Sequence, residues 1–228
     1  MSKPLPLVLM YGGTFDPVHH GHLRTALELT QVLPVTKVHL IPCQLPPHRG
    51  QPGASPEQRL AMLQLAVAQE PLLLADNREL LRPGPSWSID TLKSLRQDYG
   101  PEQPLAMVLG WDAFLGLPSW AHKEQLLEVA HLIVVARPGE TQPASKELLE
   151  LLAQHELQAG QALNQQPCGR ILRLALPSAM QLSASFIRRL LAEKRSVRYL
   201  LPDAVIDYLL NQQLYTPTFL PSKSSHAS

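Results

Sequence analysis

The amino-acid sequence predicts an α/β fold, a Rossmann-like doubly wound parallel sheet with a small helical C-terminal portion. Two observations predict it. Short, almost wholly apolar runs of strand length recur along the chain, and segments with apolar residues at helical spacing lie between them. Continuous apolar runs are typical of strands that helices cover on both faces, and their alternation with helices indicates a parallel sheet.

Each predicted element rests on its own local pattern. Strands are expected at residues 5–10, 37–42, 72–75, 105–109, 131–136 and 171–176. Helices are expected at 23–33, from Ser55 onward, at 89–99, around 124–129, at 185–193 and at 202–211. Ser55 and Gln58 flank Pro56 as a capping box would, Ser88 is expected to cap its helix, and Pro202 is expected at the first helical position. A polar, Gln-rich helical segment is expected between 139 and 169.

Length and composition limit the possible functions. The 228 residues are enough for one substantial domain, predicted over 1–215, with a polar, Pro- and Ser-rich tail at 216–228 that we expect to be disordered. Hydrophobic residues make up 45% of the chain, so a buried core is expected. The formal net charge of +1 argues against a protein that binds nucleic acid by broad phosphate neutralisation.

The location is also predicted from the sequence. Cys43 and Cys168 lie far apart in a Cys-poor chain, which suits a reducing compartment better than a disulfide scaffold. The N-terminal apolar run is too short for a signal segment, and no run approaches the roughly 18 residues of a membrane span. We therefore expect a cytoplasmic protein without membrane contact, and the sequence leaves homo-oligomerisation open.

The strongest chemical signal directly follows the first predicted strand. The segment Gly12–His22 reads Gly-Gly-Thr-Phe-Asp-Pro-Val-His-His-Gly-His. Two glycines allow a ligand to approach the backbone, and the N-terminus of the following helix attracts an anion. His19 and His22 are three residues apart, so both imidazoles are expected on the same side of the first helical turn. The segment therefore predicts a site where negative charge builds up on phosphate oxygens.

Other interpretations of this segment are weaker. Three histidines within four residues could bind a metal, but no Cys or Glu stands at ligand spacing. The dinucleotide-binding motif Gly-x-Gly-x-x-Gly and the Gly-Lys-Ser/Thr of a P-loop are both absent here. The first absence disfavours a dehydrogenase.

The segment resembles the Gly-Gly-Thr-Phe-Asp-Pro-x-His-x-Gly-His motif of the nucleotidyltransferases related to class I aminoacyl-tRNA synthetases. More narrowly, it resembles the bacterial nicotinate-nucleotide adenylyltransferases, and the likeness extends from the first strand to about Leu214. The resemblance implies catalytic roles for His19, His22 and Arg188, and ATP contacts in the first motif at Gly12, Gly13, Thr14, Phe15 and Gly21.

A second motif lies near the C-terminus. Ser183 or Ser185 can cap the following helix, and Arg188 on its first turn can reach a phosphate. A capped helix with a surface Arg is the commoner explanation of such a pattern. The family has Ile-Ser-Ser-Thr-x-Ile-Arg here, which implies that Ser183, Ser185, Ile187 and Arg188 bind the ATP phosphates. Ala184 lacks one of the family's hydroxyl groups.

Three further segments match the family. Pro-Pro-His-Arg implies that His48 and Arg49 approach the acceptor, although alone it would indicate a solvated basic loop. Trp87-Ser88 and Leu-Pro-Ser-Trp120 imply an aromatic pocket for the pyridine ring, with the backbone near Ser88 and Ala121 binding its carboxylate; both Trp side chains could otherwise be core. Gly110 and Asp112 match the family's Gly-x-Asp, which implies that Asp112 positions the nucleotide; the alternative is that Asp112 caps a helix. Arg137 also matches the family and is a further candidate site residue.

The resemblance implies adenylyl transfer from ATP to nicotinate mononucleotide in NAD biosynthesis, giving deamido-NAD and pyrophosphate by direct in-line attack. Mg²⁺ is expected on the ATP phosphates rather than in a protein cage. Nicotinamide mononucleotide, phosphopantetheine and glycerol phosphate are alternative acceptors, and an idle nucleotide sensor is an alternative of another class. An aminoacyl-tRNA synthetase is disfavoured, because the chain has no Lys-Met-Ser-Lys-Ser stretch.

Overall fold

A computed structural model describes residues 4–44, 52–136, 144–178 and 180–216. Within these ranges, six parallel strands form one sheet in the order β3-β2-β1-β4-β5-β6. The strands are β1 (Leu7–Gly13), β2 (Val35–Pro42), β3 (Leu73–Ala75), β4 (Leu105–Gly110), β5 (His131–Ala136) and β6 (Ile171–Ala175). The strand order reverses between β1 and β4, and the carboxyl ends of strands at such a switch point are where open α/β sheets bind ligands.

Helices cover both faces of the sheet, as the sequence predicts. They are α1 (His20–Val32), α2 (Pro56–Val67), α3 (Ser88–Tyr99), α4 (Trp111–Leu115), α5 (Leu126–Val129), α6 (Lys146–His155), α7 (Ala184–Ala192) and α8 (Asp203–Asn211). The predicted Rossmann-like fold with a helical C-terminal portion is confirmed. None of the helices in the described part of the chain has the length and apolarity that crossing a bilayer requires.

Alternation along the strands divides the core between the two faces. Leu7 and Leu9 of β1 face a cluster with α1, α2, α7 and α8, whereas Val8 and Met10 face a cluster with α3 to α6. All four side chains are buried. Successive strand side chains point to opposite faces, so a continuous apolar run fills both clusters.

The starts of α1, α3, α5, α7 and α8 each differ from the sequence prediction by one to three residues. Helix α1 begins at His20 rather than at 23, because its polar first turn carries no apolar residue that periodicity could detect. Trp87, not Ser88, is the N-cap of α3, and Ser88 is the first helical residue. Pro202 is the N-cap of α8 instead of its first residue. The capping box of Ser55 and Gln58 is present as predicted.

The segment before β6 is held to the sheet. After α6, the Leu157 N–H donates to the Ile171 carbonyl, and Leu163 is buried in the core. The Arg96 guanidinium of α3 donates to the carbonyls of Val129 and Pro167, at 2.6 and 3.1 Å, and to three carbonyls just after its own helix. This side chain therefore connects three separate segments at the amino-terminal edge of the sheet.

A buried polar network joins β2, β3 and α3. His39 Nδ1 donates to Asp76 Oδ2 at 2.7 Å, and the Tyr99 hydroxyl lies 2.8 Å from His39 Nε2. The Arg78 side chain donates to the same carboxylate oxygen at 2.7 Å. Burial alone would raise the pKa of Asp76, but these hydrogen bonds outweigh burial and lower it to about 2.

The predicted single domain over 1–215 remains a prediction. The predicted tail at 216–228 lies outside the described residues except for Thr216, whose hydroxyl donates to the Gln213 carbonyl.

Candidate functional site

The first motif forms the end of β1, a loop and the start of α1. Gly12 and Gly13 are the last two residues of the strand, and the Gly13 carbonyl accepts from the Cys43 N–H. A Cβ atom on Gly13 would lie 3.0 Å from the Phe15 ring, so only glycine fits here without displacing that ring. Phe15 is itself buried, with a left-handed φ of 50°. Thr14 stands between them, with its carbonyl directed to α2.

The two predicted histidines meet at the N-terminus of α1. His19 is the N-cap and 2% exposed, and His22 lies in the first turn. Their rings stack with centroids 3.7 Å apart and 20° between their planes. A Cβ atom on Gly21 would lie 3.0 Å from His19 Nδ1, so glycine at this position allows the close approach of the ring. The two imidazoles therefore lie on the same side of the first turn, as predicted.

A shallow, open cleft lies at the point where the strand order reverses. It brings together two predicted segments: Gly21 and the predicted catalytic His22 of the first motif, and the predicted ATP contact Gly110 at the end of β4. Its wall is part polar and part apolar, formed by Tyr11, Gly21, His22, Thr25, Val108, Gly110, Val135 and Met180.

The second motif lies beside the first. Ser183 is the N-cap of α7, and its hydroxyl accepts from the Phe186 N–H at 3.2 Å. A Cβ on Gly21 would approach Leu182 to 3.4 Å, which places the residue before this cap against the first turn of α1. The N-termini of the two helices thus lie close together, and each carries the positive end of a helix dipole.

Arg188 is the fifth residue of α7 and therefore lies at the start of the second turn. The sequence had predicted it on the first turn. Its Nη1 donates to the Asp16 backbone carbonyl at 2.6 Å, and its Nη2 donates to the Ser185 hydroxyl at 3.4 Å. Ile187 differs from its predicted neighbours because its side chain is fully buried in the core cluster of α1. Ile187 can therefore support the site by packing.

Of the predicted acceptor residues, the structure describes Trp87, Ser88, Trp120 and Ala121. His48 and Arg49 lie outside the described residues, as does Arg137. Trp87 and Trp120 are half-buried, and both pack against the core cluster that includes α3. Each ring therefore packs against the core and is also partly accessible to a ligand. Ser88 opens α3, and Ala121 follows Trp120.

Asp112 lies in the first turn of α4, whose N-cap is Gly110. The competing prediction of Asp112 as the helix cap is therefore wrong. Its side chain is exposed, beyond the carboxyl end of β4.

The sequence analysis did not identify three charged residues near the site. Asp16 and Glu79 are buried carboxylates, and Arg59 of α2 is fully buried. Arg59 donates to the Thr14 carbonyl at 2.8 Å and to the Gln44 carbonyl at 3.3 Å, so it supports the loops after β1 and β2. Its position three residues before the buried Met62, on the apolar face of α2, is the signal that could have identified it.

Glu79 supports the start of α3. It accepts from the Thr91 hydroxyl at 2.6 Å, and burial raises its pKa against the hydrogen bonds from Thr91 and Ser86. The Ser86 hydroxyl also accepts from the Gln44 N–H at 3.0 Å. Glu79 thus helps to hold the segment that carries Trp87. Across the described residues, no group of three or more His, Cys, Asp or Glu is arranged to hold a metal ion.

Comparison with known proteins identifies the family of the chain. Residues 10–190 match the family described as Cytidylyltransferase-like. A protein of Chromohalobacter salexigens named probable nicotinate-nucleotide adenylyltransferase is 47% identical over 91% of this chain and 95% of its own. One of the same name from Aeromonas hydrophila is 47% identical over 95% and 100%. The structure of Plasmodium falciparum nicotinic acid mononucleotide adenylyltransferase complexed with NaAD superposes with a TM-score of 0.70 at 16% identity, covering 92% of this chain and 97% of that one. The chain belongs to the cytidylyltransferase-like family and, within it, to the nicotinate-nucleotide adenylyltransferases.

Proposed function

We propose that this chain transfers the adenylyl group of ATP to the phosphate of nicotinate mononucleotide, forming deamido-NAD and pyrophosphate for NAD biosynthesis. This is the reaction for which its relatives are named. The observation that carries the proposal is the meeting of two helix N-termini, α1 and α7, beside the stacked His19 and His22. Such an arrangement offers several N–H donors and positive dipole ends to a triphosphate.

ATP occupies the switch point in this proposal. The adenine base uses the apolar part of the cleft, and the phosphates extend past His22 to the N-terminus of α7. The N–H groups from Gly12 to Phe15 and at Ser183 and Ser185 contact the phosphates. Gly110 and the exposed Asp112 position the nucleoside at the end of β4. Ile187 keeps α7 in place from within the core.

The acceptor phosphate oxygen attacks the α-phosphorus in line, and the bond to pyrophosphate breaks as the new P–O bond forms. His19, His22 and Arg188 donate to the phosphate oxygens, where negative charge increases in the transition state. Mg²⁺ would be bound through the ATP phosphates, with most of its waters retained, and would neutralise part of their charge. The protein supplies orientation and hydrogen bonds, and its own residues form no covalent intermediate.

The pyridine mononucleotide approaches from the loop after β2. His48 and Arg49 contact its phosphate side, and Trp87 or Trp120 stacks on its ring. Backbone N–H groups near Ser88 and Ala121 bind the carboxylate, as a helix start or a turn can do without arginine. Cys43 and Cys168 are free thiols, which suits reaction in the cytoplasm.

The test is pyrophosphate release from ATP and Mg²⁺ with three acceptors in parallel: nicotinate mononucleotide, nicotinamide mononucleotide and phosphopantetheine. A strong preference for the nicotinate acceptor is expected. Release with another acceptor would keep adenylyl transfer and reject the assigned acceptor pocket. No release with any of the three would reject the enzymatic function and favour a nucleotide sensor.

A further inference from the structure

Asp16 accepts hydrogen bonds from two segments that are distant in the sequence. It lies in the loop between β1 and α1, and its side chain is 5% exposed. The N–H groups of Gly53 and Ala54 donate to Oδ2 and Oδ1, at 2.9 and 3.1 Å. The Tyr215 hydroxyl donates to Oδ1 at 2.7 Å. A carboxylate has about four lone-pair positions, and these donors occupy three of them.

Tyr215 follows α8, and it is packed as well as bonded. A Cβ atom on Gly53 would lie 3.0 Å from the Tyr215 ring, so the ring lies directly against this backbone. Burial, the hydrogen bond to Asp16 and the charge of that carboxylate all raise the pKa of Tyr215. The hydroxyl therefore keeps its proton and remains a donor to Asp16.

Arg188 forms only a long ion pair with the same carboxylate, at 3.5 Å. Its Nη1 is 2.6 Å from the Asp16 backbone oxygen and 3.5 Å from Oδ2. The Arg188 side chain is 35% exposed, so part of the guanidinium remains open to a ligand. A carboxylate that lost a donor would attract this guanidinium more strongly, because charged, bidentate Arg–carboxylate pairs are among the strongest hydrogen-bonded contacts.

We propose that Tyr215 and Asp16 are positioning residues for Arg188, and that the Tyr215 hydroxyl keeps Asp16 from competing with the ATP phosphates for its guanidinium. The inference rests on the proposed role of Arg188 in ATP binding. It assigns the C-terminal segment a part in nucleotide affinity, although the segment follows the last residue of the family match, 190.

The first experiment compares Tyr215→Phe with the unaltered protein by calorimetric titration of ATP with Mg²⁺ and by steady-state kinetics. We expect the Kd and KM for ATP to rise about tenfold, the order expected for one lost charge-assisted contact. The KM for nicotinate mononucleotide is expected to stay within about twofold. Tyr199→Phe is the matched control, because Tyr199 is 88% exposed and far more open to solvent than Tyr215.

The second experiment repeats the Tyr215 change in an Asp16→Asn background. An amide carries no charge to compete with ATP, so Tyr215→Phe should then leave the ATP Kd unchanged. An unchanged ATP Kd in the single Tyr215 variant would overturn the proposal, as would a rise confined to the acceptor KM. An equal rise in both backgrounds would do the same. ATP titration needs no turnover, so these results stand apart from a failure of pyrophosphate release in the unaltered protein.

Discussion

The imidazole rings of His19 and His22 stack 3.7 Å apart across the first turn of α1, and the small size of Gly21 makes room for them. The Phe15 ring meets His22 edge-on, with centroids 5.0 Å apart. Both imidazoles are therefore fixed by neighbouring rings before a substrate arrives. A hydrogen-bond donor that is already oriented costs no reorganisation in the transition state.

Replacement of His22 by alanine is expected to lower kcat by about 10² to 10³, the range for loss of one oriented donor to transition-state charge. The fold should be retained, because His22 is only partly buried. Pyrophosphate release and thermal unfolding measure the two effects. His20→Ala, in the same helical turn, is the control and should keep normal turnover. A His22→Ala protein with ordinary kcat would remove the histidine pair from the proposed mechanism.

Replacement of Trp120 by leucine is expected to raise the KM for nicotinate mononucleotide by about 2- to 12-fold, corresponding to the ~0.5–1.5 kcal/mol of an aromatic contact. The KM for ATP should change little, because leucine preserves apolar packing against the α3 cluster. The same substitution at Trp111 is the control. Equal increases for both substrates in Trp120→Leu would indicate a loss of structure rather than of ring stacking.

Acid sensitivity is expected to depend on Asp76. Its pKa is about 2 in the folded chain against an ordinary value of 3.8, so its contribution to stability is complete above about pH 4. That contribution, of the order of 2 kcal/mol, is lost as the pH falls from about 4 to 2. Denaturant unfolding at several pH values should show a flatter acid limb for Asp76→Asn. Asp207→Asn, on the exposed side of α8, should keep the original slope.

Replacement of Arg96 by lysine is expected to destabilise the fold by roughly 1–3 kcal/mol, although the charge is kept. One ammonium group cannot reach the carbonyls of Val129, Pro167 and the end of α3 together, as the planar guanidinium does. Urea unfolding measures the change, with Gln97→Lys on the exposed face of α3 as the control. Equal stability of Arg96→Lys and the unaltered chain would show that these contacts carry little net energy.

The sequence predicted the sheet well because its signal is local. A buried strand such as β5 needs only a continuous apolar run, and its bounds, His131–Ala136, agree with the prediction. Helix starts with polar first turns, as at His20, carry no such signal. The His19 and His22 pair was identified because both belong to one motif. The partners of Asp16 were not, because Tyr215 lies 199 residues away and only tertiary packing brings it close.

That contact also sets the order in which the site can form during synthesis. Tyr215 is translated 199 residues after its partner Asp16. At about 5–20 residues per second, the interval is roughly 10–40 s. Strands β1 and β2 can pair during that time, but the loop that carries Asp16 can complete its hydrogen bonds only after Tyr215 has been synthesised. A nascent chain that stalls before α8 would therefore hold the histidine motif without the completed surroundings of Arg188.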